Sequence, residues 1–118
     1  MTRALARFTV AHGRIKLRVR LLATISAVDA EFHEGRRRQR GRTVFGYFST
    51  ADQGDGCVGT IVIPCDADLM ELIPHEVTHA VLHRLGRVDR HDDEALASAV
   101  GVLTARIVRQ LAKRGLGV

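Results

Sequence analysis

Aromatic residues make up only 4% of this 118-residue chain, and tryptophan is absent. The core must therefore be built from aliphatic side chains such as Val, Leu, Ile and Ala. No run of 18 uninterrupted apolar residues occurs, so we expect no segment that spans a membrane. The N-terminus is interrupted by Arg3, Arg7 and His12 and lacks the apolar core of a secretory signal peptide. These absences favour a cytoplasmic protein.

Cysteine is also scarce, with Cys57 and Cys65 as the only two. They flank an apolar run, CVGTIVIPC, which is typical of a β-strand. A strand rises about 3.3 Å per residue, which places the two Cα atoms roughly 26 Å apart. A disulfide needs them within about 7 Å. We therefore expect two free thiols, as in a reducing compartment.

Length and composition fit one globular domain. A chain of 118 residues suffices for one compact unit and is too short for two ordinary ones. Hydrophobic residues make up 46% and charged residues 26%, the balance of a folded protein and not of a disordered one. We treat 1–118 as a single domain. The sequence gives no indication of the oligomeric state.

The positive charge is concentrated in the first third of the chain. Residues 1–42 carry 11 Lys and Arg against 3 acids, and residues 43–118 carry 7 against 10, so the formal charges are +8 and −3. The segment 36–42, RRRQRGR, can hold nucleic acid or an acidic protein partner. Because it contains no aromatic side chain to stack on bases, we favour a solvated connector over a nucleic-acid site.

Hydrophobic periodicity predicts three strands and three helices. The apolar and basic residues alternate over 14–20, and a helical stripe begins at Leu21. Gly86 is the expected C-cap of the second helix, and Pro74 must begin the regular part of that helix or kink it. The predicted strands are 14–20, 43–49 and 57–63, and the predicted helices are 21–34, 67–85 and 92–113. This arrangement favours an α+β fold with a small mixed sheet of three to four strands.

The segment HEVTHAVLH, residues 75–83, falls in the second predicted helix. On a helix His75 and His79 lie on one face, one turn apart, so their imidazoles can hold one metal ion from the same side. Glu76 lies about 100° around the helix, where a carboxylate can take a proton from water without binding the metal. The alternative is that both histidines are half-buried residues bonded to backbone or to an acid.

A zinc site needs a third protein ligand. His83 lies about 12 Å of helical rise beyond His75, so one ion cannot be held by all three histidines of a straight helix. Glu94 is the best candidate, because the face that it begins carries only small residues, which predict close packing on the metal helix. These small residues are Ala97, Ser98, Gly101 and Ala105.

Other assignments of the third ligand stay open. His91 follows a loop and can reach the metal, whereas Asp92 and Asp93 are typical of helix caps. For Glu94 the alternative is an exposed acid that is favoured by the helix dipole.

The run HEVTHAV, a loop and then DEALASAVGVL resembles the active-site segment of the thermolysin-like, or gluzincin, zinc metallopeptidases. The resemblance covers 75–104, about a quarter of the chain. It implies that His75, His79 and Glu94 hold Zn²⁺ and that Glu76 is the general base. The compact layout is also similar to SprT-like and ImmA/IrrE-type proteins. That similarity implies a minimal zincin-like core with an N-terminal helix, an HExxH helix and a C-terminal helix.

The chain departs from the family pattern at three points. The family has an aspartate one turn after the glutamate ligand, where this chain has Ser98, a weaker and neutral partner. The family stabilises the oxyanion with a tyrosine and a histidine, for which Tyr47, His91 and Arg90 are candidates by residue type alone. Thermolysin also has a second, helical domain as the far wall of its cleft, which we expect to be missing here or supplied by another subunit.

The resemblance implies hydrolysis of peptide bonds in a protein or peptide substrate, with Zn²⁺ as cofactor. In the family an edge strand before the metal helix pairs with extended substrate, so Gly59, Thr60 and Ile61 are candidates for backbone pairing. An ordinary buried strand is the equal alternative. A second function is a catalytically weak or inactive zinc-binding module whose basic first third binds nucleic acid or a protein partner. A third is a helical scaffold without metal.

Overall fold

A computed structural model describes residues 3–34, 42–51, 54–86 and 93–116. The strands are β1 (Ala6–His12), β2 (Ile15–Leu22), β3 (Tyr47–Ser49) and β4 (Gly59–Pro64), and the helices are α1 (Ile25–His33), α2 (Leu69–Leu85) and α3 (Asp93–Lys113). The strands form one mixed sheet in the order β1-β2-β4-β3. Helices α2 and α3 cover one face of the sheet, and α1 covers part of the other. The predicted α+β fold is therefore confirmed.

The first strand was not predicted from the sequence. β1 pairs with β2 as an antiparallel hairpin through a two-residue turn, in which Gly13 has a φ of 58°. Glycine adopts this conformation without steric cost. The alternation in β1 buries Ala6 and Val10 and exposes Arg7. Because this alternation in β1 contains only two well-buried residues, it predicts a strand less clearly than the seven-residue alternation of β2 does.

Helix α1 begins later than predicted. Leu21 and Leu22 belong to β2 and are fully buried there. Thr24 begins the helix, because its side chain accepts a hydrogen bond of 3.1 Å from the backbone of Ala27. Leu21 lies in β2 and Ile25 in α1, so their four-residue spacing does not reflect one helix.

The predicted strand 43–49 is shortened to β3 by a contact from α1. The backbone N–H of Val44 donates to the Asp29 carboxylate at 2.9 Å. This side chain takes the place of a strand partner, so that regular pairing begins only at Tyr47, opposite Val62. β3 is an edge strand of three residues. Residues 36–41 of the Arg-rich segment lie outside the described part of the chain.

β4 is an inner strand. Thr60 and Ile61 pair in parallel with β2 and antiparallel with β3, so their backbone groups already have partners on both sides. A Cβ atom on Gly59 would lie 2.3 Å from the carbonyl oxygen of Ser49 and 2.7 Å from the Phe48 ring. Glycine is therefore required at position 59, because any side chain would collide with β3. The prediction of a substrate-pairing edge at Gly59, Thr60 and Ile61 is therefore wrong.

The two cysteines lie at opposite ends of β4. Cys57 is buried before the strand and Cys65 is half-buried after it, and both are free thiols. The predicted absence of a disulfide between them is confirmed.

Helix α2 runs through Pro74 as one continuous element. Asp68 caps its start by accepting a hydrogen bond from the backbone of Glu71, and Gly86 ends it with a φ of 72°. The backbone N–H of Gly86 returns to the carbonyl of Leu82 at 2.9 Å. The carbonyl of Pro74 accepts a second bond from the Thr78 hydroxyl at 2.7 Å. The predicted end of this helix and its glycine cap are confirmed, whereas the helix begins at Leu69, two residues later than predicted, because Asp68 is its N-cap.

Helix α3 buries an aliphatic stripe and exposes its small residues. Ala99, Leu103, Ile107 and Leu111 are buried against α2 and β1. The predicted small-residue face at Ala97, Ser98, Gly101 and Ala105 is exposed, and a Cβ atom on Gly101 would meet nothing within 4 Å. The prediction that this face packs on the metal helix is wrong, because burial selects the larger side chains of the opposite face.

Two contacts, one from α3 and one from the residue after it, hold this end of the chain to β1 at the rim of the core. The guanidinium of Arg106 donates to the carbonyl of Ala11, and that of Arg114 lies 4.8 Å from the centre of the Phe8 ring. Among the described helices, α3 alone is long and apolar enough to cross a membrane by length and composition. Core helices of soluble proteins also pass this test, so the expectation of no membrane-spanning segment stays a prediction. The large aliphatic residues of α3 are used in the core.

Candidate metal centre

His75 and His79 meet on the exposed face of α2. Their Nε2 atoms are 3.3 Å apart, and their ring centroids are 4.8 Å apart with the planes at 81°. Two nitrogens bound to one tetrahedral zinc ion, each about 2.0–2.1 Å from the metal, lie about 3.3–3.4 Å from each other. The two side chains thus hold the separation that a shared zinc ion requires. Without a metal, the same distance allows one ring N–H to donate to the other ring.

Glu76 lies beneath the two histidines and is almost fully buried, with 4% of its surface exposed. One of its carboxylate oxygens is 3.9 Å from Nε2 of His75, and the described residues donate no hydrogen bond to it. Burial raises the pKa of Glu76 above its ordinary value, although the two neighbouring histidines act in the opposite direction. A carboxylate whose pKa is raised toward neutrality is a stronger proton acceptor than an exposed one.

A groove of about 540 Å³ opens between this part of α2 and the edge strand β3. Its floor contains His75, Glu76 and His79, and its opposite wall contains Phe48 and other residues around β3. The groove joins the histidine pair to the β3 edge of the described sheet.

His83 also lines this groove, one turn beyond His79. Its ring centroid is 5.7 Å from that of Phe48. From the sequence, His83 was expected to be an outward-facing residue or one that supports a metal ligand, and not itself a ligand. The second four-residue step, from His79 to His83, was the available signal that both side chains face the same groove.

Tyr47 lines the groove but its hydroxyl points elsewhere. The hydroxyl donates to the Glu31 carboxylate at 3.0 Å, and the ring lies 5.2 Å from that of Phe32. The single phenolic proton is therefore used in α1 contacts. The role predicted for Tyr47 at the transition state requires this bond to break.

Glu94 and Ser98 are exposed near the start of α3. In the described ranges, no three His, Cys, Asp or Glu side chains form a group that could hold a metal ion. The packing that favoured Glu94 as the third ligand is absent, since the face it shares with Gly101 is open. Glu94 as a ligand stays a prediction. His91, Asp92 and Arg90 lie outside the described residues.

A second cavity of about 430 Å³ adjoins His75 on the other side. Ile25, Phe45 and Leu72 give it apolar walls, and Asp68 and Glu71 lie at the start of α2 beside it. An apolar cavity next to the histidine pair offers space for a side chain of a bound peptide.

Comparison of the chain with family models, with curated proteins and with solved structures finds no match.

Proposed function

We propose that the protein is a zinc-dependent peptidase that hydrolyses peptide bonds in a protein or peptide substrate. The observation that carries this proposal is the 3.3 Å separation of the His75 and His79 Nε2 atoms above the buried carboxylate of Glu76. The distance fits two ligands of one tetrahedral zinc ion. The burial of Glu76 fits a proton acceptor that is kept apart from the ligands.

His75 and His79 would hold the zinc ion, with Glu94 as the predicted third ligand. Bound zinc supplies Lewis acidity, which lowers the pKa of water and polarises a carbonyl group. Glu76 accepts the proton of the attacking water and later delivers it to the leaving amine. The raised pKa of Glu76 favours the first of these transfers.

The substrate chain would lie along β3. β3 is an edge strand, and the groove beside it contains both histidines. An extended peptide can add to such an edge through backbone hydrogen bonds. This location replaces the β4 residues that the sequence predicted. The two free thiols support a cytoplasmic location.

Metal content and hydrolysis test the proposal together. We expect the purified full-length protein to hold about one zinc per chain by mass spectrometry and to cleave unfolded casein or members of a peptide library. His75→Ala should lose the metal and the activity, whereas His12→Ala, a histidine at the β1–β2 turn, should retain both. A zinc-loaded wild type that cleaves no substrate would replace the peptidase by the inactive zinc-binding module. A protein without zinc would exclude both.

The third ligand has its own test. Glu94→Ala should weaken zinc binding, measured by competition with a chelator, while Ser98→Ala should change it less. Zinc affinity that is unchanged in Glu94→Ala would move the third ligand to His91 or Asp92.

A further inference from the structure

The sheet face opposite α2 and α3 is only partly covered. α1 packs at one end of this face, over Leu22 and Val62. The remainder forms a groove of about 800 Å³ that crosses all four strands. This groove lies on the other side of the sheet from the histidine pair.

Four cations project toward this open face. Lys16, Arg18 and Arg20 alternate along β2 with buried residues, and Arg7 of β1 lies directly opposite Arg20. Like charges at directly paired positions destabilise a sheet. Among the described residues, two acids, Glu31 and Asp55, bond to these four cations, which leaves an excess of two positive charges in this part of the face.

The spacing along β2 suits a chain of phosphates. Side chains two residues apart on a strand lie about 6.6 Å from each other, so Lys16, Arg18 and Arg20 form a straight row at that interval. This interval is comparable to the distance between successive phosphates along an extended nucleic-acid strand. Thr9 and Thr60 lie on either side of Arg18 in the pairing register and add hydroxyl donors.

An acidic turn occupies one end of this row. Arg18 bonds to the Asp55 carboxylate at 3.1 Å and to the carbonyl of Gly54 at 2.8 Å, and Nζ of Lys16 donates to the carbonyl of Asp55 at 3.1 Å. The Asp55 side chain is 84% exposed, and its φ of 61° is unusual for a residue other than glycine. An exposed ion pair contributes little stability, so a phosphate can displace this carboxylate from Arg18.

We infer that the open face of the sheet binds single-stranded nucleic acid through its phosphates, with the strand lying along β2. Arg7 and Arg18 are the principal contacts, and Asp55 competes with the phosphates for Arg18. Arg20 is bonded to Glu31 and contributes mainly through its charge. This activity is separate from the proposed hydrolysis and does not require a metal.

Fluorescence anisotropy of the full-length protein with a labelled oligothymidylate of about 20 nucleotides tests the inference, since single-strand site sizes are shorter than this. Three phosphate contacts predict a slope of about −2 for log affinity against log salt, or roughly 16-fold weaker binding at 200 mM than at 50 mM. Arg7→Glu with Arg18→Glu should weaken binding by at least about tenfold. Asp55→Asn should tighten binding by about 1.5- to 5-fold, because a weak ion pair no longer has to break.

The matched control is Arg109→Glu with Lys113→Glu, which makes the same charge change on the exposed side of α3. If this control weakens binding as much as the Arg7 and Arg18 pair, net charge alone is responsible and the inference is wrong. A poly-glutamate peptide that competes as well as the oligonucleotide would assign the face to an acidic protein instead. Because Asp55 lies in an exposed turn, its variant keeps the test valid if the strand variants fail to fold. Chelation of zinc should leave binding unchanged.

Discussion

Glu31 and Glu76 are both largely removed from solvent, yet their surroundings are opposite. Glu31 of α1 receives two bonds from the guanidinium of Arg20 and one from the hydroxyl of Tyr47. Glu76 of α2 receives no hydrogen bond from the described residues, and one of its carboxylate oxygens lies 3.9 Å from Nε2 of His75.

The difference is reflected in the two pKa values. The hydrogen bond from Arg20 holds the pKa of Glu31 below its ordinary value, against the effect of burial. Burial raises the pKa of Glu76. A buried carboxylate without donors costs stability, and ionisable groups in such surroundings are concentrated at functional sites. The comparison thus separates a carboxylate with strong hydrogen-bond donors from one without described donors, which the proposed function uses as the proton acceptor.

The largest expected effect is on hydrolysis. Glu76→Gln should keep the zinc and lower the rate by about 10²–10⁴, because Gln cannot accept a proton at neutral pH. Glu31→Gln is the matched control and should leave the rate per folded molecule unchanged. If Glu76→Gln and Glu31→Gln both lose activity in proportion to their loss of stability, the distinction between the two carboxylates is wrong.

The next effect is on stability. Glu31→Gln should lower the free energy of unfolding by about 1–3 kcal/mol, because it removes charge-assisted bonds and leaves Arg20 half-buried without its anion. Urea unfolding of the metal-free protein at pH 7 measures this change. An unchanged midpoint would show that the contacts of Glu31 with Arg20 and Tyr47 contribute no net stability.

The two carboxylates should also give opposite pH dependences. The lowered pKa of Glu31 stabilises the fold above its ordinary pKa of 4.5, and this contribution is lost as the pH falls through its folded value. The raised pKa of Glu76 has the reverse effect: its contribution is complete below 4.5 and is lost as the pH rises through its folded value.

Metal-free Glu76→Gln should therefore be more stable than the wild type at pH 7, and this gain should shrink toward pH 4. The loss in Glu31→Gln should shrink over the acid range as well. Urea midpoints of both variants across pH measure these trends. A shift of the same sign in both variants at pH 7 would remove the distinction between the two sites.

The smallest effect concerns α3, which has no buried acid among its described residues. Gly101→Ala should stabilise the protein by up to about 1 kcal/mol, because a helix-interior glycine costs about that much and its Cβ would lie in open space. Thermal unfolding measures the gain. Destabilisation together with weaker zinc binding would indicate that the small-residue face does pack on another element, as the sequence predicted.

The local sequence predicted the individual helices and strands better than it predicted the strand order and the packing of the helices. The C-cap at Gly86 and the hydrophobic periodicity of α2 and α3 are encoded within a few neighbouring residues. The pairing of His75 with His79 follows from their four-residue spacing on a helix. The inner position of β4 was not predictable in this way, because it depends on parallel pairing with β2 across a long intervening segment. The exposed face of α3 was misjudged because small and large residues both recur at helical spacing.

At the candidate site, too, the local sequence identifies the residues, whereas their surroundings depend on long-range packing. The motif gave the identity of His75, Glu76 and His79. The burial of Glu76 and the groove beside it depend on β3 and α1, which approach from distant parts of the chain. The use of the Tyr47 hydroxyl by Glu31 likewise requires the packed structure.

The contact of α3 with β1 sets the order in which the nascent chain can fold. Ala11 and Arg106 are 95 residues apart, and synthesis at about 5–20 residues per second separates their appearance by roughly 5–20 s. The β1–β2 hairpin can form early, but the side of β1 that carries Val10 stays open to water until α3 is made. We expect hydrogen-exchange pulse labelling during refolding to show the amides of β1 and α3 becoming protected together. Their early and separate protection would show that the hairpin is stable alone.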